Sequence, residues 1–344
     1  MKNILVTGGA GYIGSHVVVC LSELGMNPII LDNFSNSEPS VLDGLKKITG
    51  KEFKIYQEDC LTKGVFDQIF EDQVIDGVIH FSAKKAVGES VEKPLYYYEN
   101  NVSALINLLQ AMDRHNVQNI VFSSSCTVYG QPEIIPVTEK SPKQVANSPY
   151  GNTKQIGEEI LEDVVRSGAS LKALALRYFN PIGAHHTAEI GELPLGVPNN
   201  LVPFITQTAI GKREVLTVFG DDYNTHDGTC IRDYIHVMDL ADAHVKGLDL
   251  LDDEKGQNHF EAINVGTGIG VSVLDAIKAF EKINDLKLNY KFGPRRPGDV
   301  EKIYADNTYA SNRLNWNAQY SLEKSMEDAW RWERQLNKGN KSAT

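Results

Sequence analysis

The sequence predicts an α/β protein, a doubly wound parallel sheet joined to a smaller, loop-rich α/β lobe. Three observations carry that expectation. Short apolar runs alternate with segments of helical period from Asn3 to Tyr178, the pattern of a parallel sheet with helices on both faces. The first run opens into a glycine loop that starts a helix. Beyond it, Asn180 to Pro203 is rich in Pro, Gly, Asn and His with little periodicity, so the first pattern stops there.

The first strand, Asn3-Ile4-Leu5-Val6, leads into Thr7-Gly8-Gly9-Ala10-Gly11-Tyr12-Ile13-Gly14, and Ser15 to Leu24 has apolar residues at near-helical spacing. This is the Rossmann arrangement for a dinucleotide pyrophosphate. Gly8 allows the tight turn, Gly11 lets backbone approach the phosphates, and Gly14 lets the helix lie close to the strand. Free N–H groups at the helix start face the anion. Asp32 follows Gly14 by 18 residues and ends the run Ile29-Ile30-Leu31. A carboxylate there holds a ribose 2′-hydroxyl and repels a 2′-phosphate, which points to NAD as the cofactor rather than NADP.

In the polar loop that follows, Asn36 and Ser37 are placed for the adenosine end. Phe53 to Gln57 reads as the third strand, ending at Glu58-Asp59-Cys60. Asp59 either caps the adenine amino group or is an ordinary loop residue. Gly77 to Phe81 is the fourth strand, and the small Ser82-Ala83 after it lets a cofactor ribose lie against the backbone. Tyr97 to Met112 reads as one helix, and Asn119 to Phe122 as a fifth strand running into Ser123-Ser124-Ser125. Ligands of such sheets sit at the carboxyl ends of the strands. Thr7, Asp32, Asp59, Phe81 and Ser123–Ser125 all fall there.

Gln131 to Pro149 is a proline-punctuated connection, long enough to suggest function. Ser148 is placed as an N-cap and Pro149 at the first helical position. In the helix from Tyr150, Ile156, Ile160, Leu161, Val164 and Val165 form one apolar arc that contains Tyr150 and Lys154, one turn apart. Glu158, Glu159, Glu162 and Asp163 fall on the other side. A lysine on a core-facing arc is either a snorkelling stem or a paired ammonium. The pattern favours a catalytic Tyr–Lys pair whose ammonium lowers the phenol, with Ser125 bonded to the reacting hydroxyl. Bringing a phenol from about 10 to about 7 takes roughly 4 kcal/mol, which the ammonium and a cationic nicotinamide ring together supply in large part.

After a sixth strand, Leu174 to Tyr178, the loop-rich lobe begins. His185-His186 does not suggest a metal, because adjacent histidines share one ion poorly and no third ligand has helpful spacing. Arg232, ahead of a helix over Val237–Leu251, and Arg295-Arg296 are read as loop arginines, suited either to bidentate phosphate recognition or to plain surface charge. Gly266-Thr267-Gly268-Ile269-Gly270 imitates a second dinucleotide loop, but Lys287-Leu288 stands where the ribose acid belongs. Trp316 and the Trp330–Trp332 segment read as packing helix and tail.

Composition narrows the class. A net charge of -11 disfavours nucleic acid as a partner. The four cysteines, Cys20, Cys60, Cys126 and Cys230, show no CxxC spacing, which argues against a disulfide framework or a zinc site. No run has the length of a membrane helix, and the N-terminus enters a strand rather than a signal-type segment. A cytoplasmic enzyme without membrane partners is expected.

Taken together, TGGAGYIGSH at 7–16, LDNFSNS at 31–37, KAVGESVEKPLYYYENNV at 85–102, FSSSCTVYG at 122–130 and SPYGNTK at 148–154 resemble the extended short-chain dehydrogenase/reductase family. LRYFNPIGAH at 176–185, PNNLVPF at 198–204, DGTCIRDYIHVMDLADAHV at 227–245 and PRRPGD at 294–299 narrow the resemblance to its UDP-hexose 4-epimerase branch. The resemblance implies Ser125, Tyr150 and Lys154 as the catalytic group. It places NAD on Tyr12, Ile13, Asp32, Asn33, Asn36 and Ser37, then on Asp59, Cys60, Phe81, Lys85, Asn100 and Phe179, besides Tyr150 and Lys154. It places the UDP-sugar on Asn180, Asn200, Leu201 and Thr217, then Phe219, Arg232, Arg296 and Asp299, with Ser125 and Tyr150 at the sugar.

The implied reaction interconverts UDP-galactose and UDP-glucose through a 4-keto sugar that turns over while its UDP stays clamped, with no metal. The implied division is an NAD-binding Rossmann domain over 1–180 and a UDP-sugar lobe over 181–344, with about 234–265 returning to the first; the implied assembly is a homodimer. Three departures are visible: Ser82-Ala83-Lys84 replaces the family's common Ala-Gly-Leu, Cys126 replaces a common Ala, and Ile303 leaves acceptance of UDP-GalNAc and UDP-GlcNAc open. The rival readings are a nucleotide-sugar 4,6-dehydratase or reductase, opposed by the lack of an acid over Ser123–Tyr129, and a non-catalytic dinucleotide sensor, opposed by the intact Tyr–Lys pair.

Overall fold

A computed structural model describes residues 1–254, 258–296 and 298–342. Pro297, within the motif at 294–299, lies outside them. The chain begins with β1 (Asn3–Thr7), α1 (Tyr12–Glu23), β2 (Asn27–Leu31), α2 (Ser40–Thr49), β3 (Lys54–Tyr56), α3 (Val65–Asp72) and β4 (Gly77–His80). It continues with α4 (Val87–Glu92), α5 (Pro94–Tyr98), α6 (Ala104–Arg114), β5 (Asn119–Ser125), α7 (Pro149–Arg166) and β6 (Lys172–Tyr178). Then come β7 (Asn180–Ile182), α8 (Leu201–Ala209), β8 (Leu216–Phe219), β9 (Ile231–His236), α9 (Val237–Asp253) and β10 (His259–Val265). The rest is β11 (Gly270–Ser272), α10 (Val273–Asn284), β12 (Tyr290–Gly293), β13 (Lys302–Ile303), α11 (Thr308–Leu314) and α12 (Leu322–Ser342). No helix is long and apolar enough to cross a membrane among the described residues.

The expected α/β fold is present. Seven strands form one sheet in the order β10-β6-β5-β4-β1-β2-β3, every pair parallel. Because both faces are covered, the strands are apolar on both sides. In β1, Ile4 and Val6 join the cluster under α1 and α9, while Leu5 joins the opposite cluster with Leu105, Leu108 and Leu161. The order reverses direction at β1, beside β4, the position where such sheets open a ligand crevice. β10 enters this sheet after the chain has already built β7 to β9 elsewhere, and α9 packs against α1, β5 and β6.

The second lobe has its own sheet, β11-β9-β13 with β7 beside β9, and a β12-β8 pair. Its core joins α8, α10 and α12 through Ile205, Phe280 and Met326. Trp316 is fully buried, and its indole N–H donates to the Asp239 carbonyl at 3.0 Å.

Local structure departs from the sequence reading at four places. The single helix expected over Tyr97–Met112 is broken by a π-helical segment, Glu99–Ser103; such segments are frequent at functional sites, and this one puts Asn100 on the cleft and Asn101 against Lys84. The irregular stretch after Tyr178 begins with a strand, β7. Arg232 lies on β9 rather than in a loop, its backbone paired with Val271 and Ile303. Glu158, assigned to the polar side of its helix, is fully buried, because Arg177 on β6 and Lys143 draw it inward.

Candidate functional site

The glycine loop is shaped by collisions that any side chain would cause. A Cβ on Gly14 would lie 2.2 Å from the Gly8 carbonyl oxygen, and Gly8 itself has φ +69°. A Cβ on Gly11 would meet the Gly8 oxygen at 3.1 Å. Gly11 precedes the first residue of α1 with no side-chain cap, and the N–H groups of the first turn have no carbonyl one turn back to receive them. Those donors and the positive end of the helix face the cleft.

Asp32 ties this loop to the end of β2. Its Oδ2 accepts from Ala10 N–H at 3.0 Å, and its Oδ1 accepts from Phe34 N–H at 2.9 Å and from the Ser37 hydroxyl at 3.0 Å. A carboxylate offers about four acceptor positions, so one remains for a ribose hydroxyl. One strand over, Asp59 accepts from Asn33 Nδ2 at 2.6 Å and from Leu61 N–H at 2.8 Å. A cleft of about 290 Å³ runs from these acids past the glycine loop to Ser125, Tyr150 and Lys154. Its wall includes Tyr12, Ile13, Asn36, Cys60, Phe81, Lys85, Asn100 and Phe179, and it ends at Asn180 and Asn200.

At the far end, Ser148 caps α7 by accepting from Gly151 N–H at 3.2 Å, and Pro149 occupies the first helical position. This start aims Tyr150 and Lys154 at the carboxyl end of β5. Lys154 is only 4 % exposed; its Nζ donates to the Ser123 carbonyl at 2.6 Å and lies 5.9 Å from the Tyr150 ring centroid. Burial holds this ammonium down to about 7, against the opposing pull of Glu158 one turn on. Ser125 Oγ accepts from Thr127 N–H at 3.2 Å.

The expected lowering of the Tyr150 phenol counts on a cationic nicotinamide as well as Lys154; the protein's own groups push the other way. Burial raises it well above its ordinary value and the neighbouring Tyr178 adds to this, while hydrogen bonding with Ser125 pulls the other way. The protein's own groups thus disfavour the phenolate, and a cation bound against it would act in the opposite direction.

Beneath the Tyr150–Lys154 turn lies a network that sequence reasoning missed. Arg177 grips Glu158 with both arms of its guanidinium, at 2.9 and 2.7 Å; Ser124 donates to the same carboxylate at 2.5 Å, and Lys143 pairs with it at 2.8 Å. Burial disfavours the carboxylate, yet Arg177 and Lys143 outweigh it and hold Glu158 below its ordinary range. The available signal was Arg177 itself, a charge inside an apolar strand, which requires a buried partner. Asn101 is a second such residue: its amide donates to Thr153 Oγ1 at 3.0 Å and holds the backbone of Lys84 on both sides.

The residues expected to meet the UDP-sugar form a separate group. Arg296 donates to Asp299 at 3.0 Å, and Arg232 approaches the same carboxylate at 3.6 Å. Arg296 also lies 6.0 Å from the Phe219 ring centroid. Thr217 and Phe219 lie on β8, beside β12, and Leu201 opens α8. None of these six residues is among those lining the 290 Å³ cleft. Asn200 faces Glu192, another residue missed from sequence: its amide donates to Glu192 at 2.6 Å, and Lys85 pairs with Glu192 at 3.7 Å. Arg295 is engaged elsewhere, with Asp222 at 2.7 Å and over Tyr223. Ile303 is buried with Cys126 and Phe179, behind the cleft wall.

Within the loop Gly266–Gly270, the central N–H groups are already taken up by the protein. The buried Asp233 carboxylate accepts from Thr267 N–H at 2.8 Å and Gly268 N–H at 3.1 Å. His185 Nδ1 is bonded to Thr187 Oγ1 at 2.8 Å, and burial lowers this ring to about 4.

Comparison with known proteins agrees with this geometry. The family model described as GDP-mannose 4,6 dehydratase matches residues 5–329. The UDP-glucose 4-epimerase of Pasteurella multocida is 51% identical over 336 residues, 98% of each chain. Among solved structures, the UDP-glucose-4-epimerase of Stenotrophomonas maltophila, with bound NAD and formylated UDP-arabinopyranose, superposes with a TM-score of 0.95 at 44% identity over 98% of this chain and 100% of that one. The Bifidobacterium longum enzyme in complex with NAD+ and UDP gives 0.94 at 43% identity, over 98% and 100%.

Proposed function

This chain belongs to the extended short-chain dehydrogenase/reductase family and, within it, to the UDP-glucose 4-epimerases; from that premise we propose that it interconverts UDP-galactose and UDP-glucose by inverting C4 with resident NAD. One observation carries the reading for this chain: the cleft floored by the glycine loop and Asp32 has Ser125, Tyr150 and Lys154 in its wall and ends at Asn180 and Asn200. The residues suit a dinucleotide, since the first turn of α1 meets the cleft with no side-chain cap on its N–H groups and Asp32 keeps an acceptor position. When bound, NAD supplies reversible hydride acceptance at C4 of the hexose.

The chain's own residues handle the proton and the geometry. Tyr150 takes the proton of the 4-hydroxyl and later returns it, while Ser125 holds that oxygen in place. Lys154, fixed by Ser123, places its ammonium beside Tyr150 and favours the phenolate as it forms. Arg232 and Arg296 clamp the uridine diphosphate, with Asp299 keeping both guanidinium groups in position. The hexose, held less firmly, turns to present its opposite face. Asn33, Asn36, Ser37, Asp59, Cys60, Phe81, Lys85, Asn100 and Phe179 are assigned to the cofactor, and Asn180, Asn200, Leu201, Thr217 and Phe219 to the UDP-sugar. Residues 1–180 with 234–265 are assigned to the cofactor and the remainder to the sugar nucleotide.

A 4,6-dehydratase needs an acid poised for the C5 proton. Ser123–Tyr129 contains none, and Glu158 is held by Arg177, Lys143 and Ser124. The exposed apolar side chains of Val91, Leu95 and Tyr96 on α4 and α5, with Ile106 on α6, support a homodimer. The four free cysteines fit a reducing cytoplasm. The test is to give the purified protein UDP-galactose without added NAD. The reading expects UDP-glucose with no net NADH; a requirement for stoichiometric added NAD would overturn it.

A further inference from the structure

Lys84 and Ser35 meet across the cofactor cleft and have no part in the chemistry described above. Lys84 Nζ donates to Ser35 Oγ at 3.0 Å and lies 5.5 Å from the Tyr96 ring centroid. Both residues line the 290 Å³ cleft and also an adjoining cavity of about 450 Å³. The bridge therefore crosses the boundary between the cofactor space and the larger cavity beside it.

Its two ends are anchored on different walls. The Lys84 backbone N–H donates to Asn101 Oδ1 at 2.8 Å and its carbonyl accepts from Asn101 Nδ2 at 3.0 Å. The same Asn101 amide reaches Thr153, next to Lys154 on α7. Opposite, Ser35 N–H donates to Asn33 Oδ1 at 2.9 Å, and Asn33 is held by Asp59. Lys85 has a carboxylate partner in Glu192 at 3.7 Å; Lys84 Nζ forms no ion pair with any described residue. Glu89 is within electrostatic reach but forms no ion pair with it, so an ammonium held by a neutral hydroxyl and a ring face keeps charge available to an anion nearby.

We propose that the Lys84–Ser35 bridge is a bar across the cleft that slows escape of the bound dinucleotide, with the ammonium drawn toward its pyrophosphate. This rests on the reading that NAD occupies the cleft. A bar fits a catalyst whose cofactor is regenerated within each turnover, because release is then never a step of the cycle. The hydrogen bond is charge-assisted but partly solvated, so it opens at a modest cost, and an effect of about tenfold on release is the scale expected.

The test measures the rate at which NAD leaves the purified holoenzyme after dilution, with thermal unfolding as a check on folding. Ser35 is exposed and Lys84 partly so, so Lys84→Met and Ser35→Ala leave the core intact. Release is expected to be about 10-fold faster in Lys84→Met and about 3-fold faster in Ser35→Ala, and the double variant no faster than Lys84→Met, since the two residues make one contact. Acceleration by Lys84→Met alone, or singles that multiply in the double variant, would overturn the bar. Wild-type protein that holds no NAD even when supplied with it would instead remove the cofactor reading, and the bar with it.

Discussion

The two lobes hold their functional groups in different ways. On the sheet side, each group is fixed by backbone: Asp32 by the N–H groups of Ala10 and Phe34, Lys154 by the Ser123 carbonyl, Ser125 by Thr127 N–H. On the lobe side, Arg296 is half exposed and leans on the Asp299 side chain, while Arg232, which approaches the same carboxylate at 3.6 Å, is also held by the Ile231 carbonyl at 2.9 Å. A group held by backbone stays in register while electrons and protons move. Groups held by side chains adjust to a ligand that must be gripped at one end while its other end turns. The first arrangement suits the proposed reacting centre and the second, seen at Arg296, the proposed clamp.

Removing the reacting oxygen should break the first side most severely. Tyr150→Phe is expected to lower kcat by about 10³-fold, within the range for loss of a general acid–base group, while protein-bound NAD, measured by absorbance after gel filtration, is unchanged. Near-normal kcat would show that Tyr150 does not move the proton.

Glu158→Gln attacks the support beneath the same turn. It leaves Arg177 buried without its carboxylate, and breaking a buried pair typically costs about 3–5 kcal/mol. A denaturant titration should show a loss of that order; a loss below about 1 kcal/mol, the scale of an exposed ion pair, would mean that the network is not structural.

On the clamp side the expected effect is smaller and of a different kind. Arg296→Met should raise KM for UDP-galactose about 10-fold to 100-fold, the scale of one charge-assisted hydrogen bond, with kcat changed little. A fall in kcat with constant KM would place Arg296 at the reacting centre and erase the contrast between the lobes.

The same contrast governs what the sequence makes legible. The glycine loop, Asp32, Ser148-Pro149 and the Tyr150–Lys154 pair are short-range patterns, each within one strand, turn or helix, so their spacing encodes their geometry. The Glu158–Arg177 pair spans 19 residues and two elements, and only the buried charge in β6 hinted at it. Glu192 meets Lys85 across more than one hundred residues, with no local pattern to announce it. Arg232 read as a loop residue because β9 is short and carries charges at Arg232 and Asp233; its strand is defined by partners in β7, β11 and β13, distant in sequence. The upward push of burial on the Tyr150 phenol has no local signature either, since burial depends on every element that closes over Tyr150.

The claim that the cofactor stays in place and the sugar turns is tested most directly with UDP-galactose carrying deuterium at C4. UDP-glucose is expected with the deuterium still at C4, inverted, and none in the solvent or in released dinucleotide. Loss of the label from C4, to water or to free NADH, would contradict it.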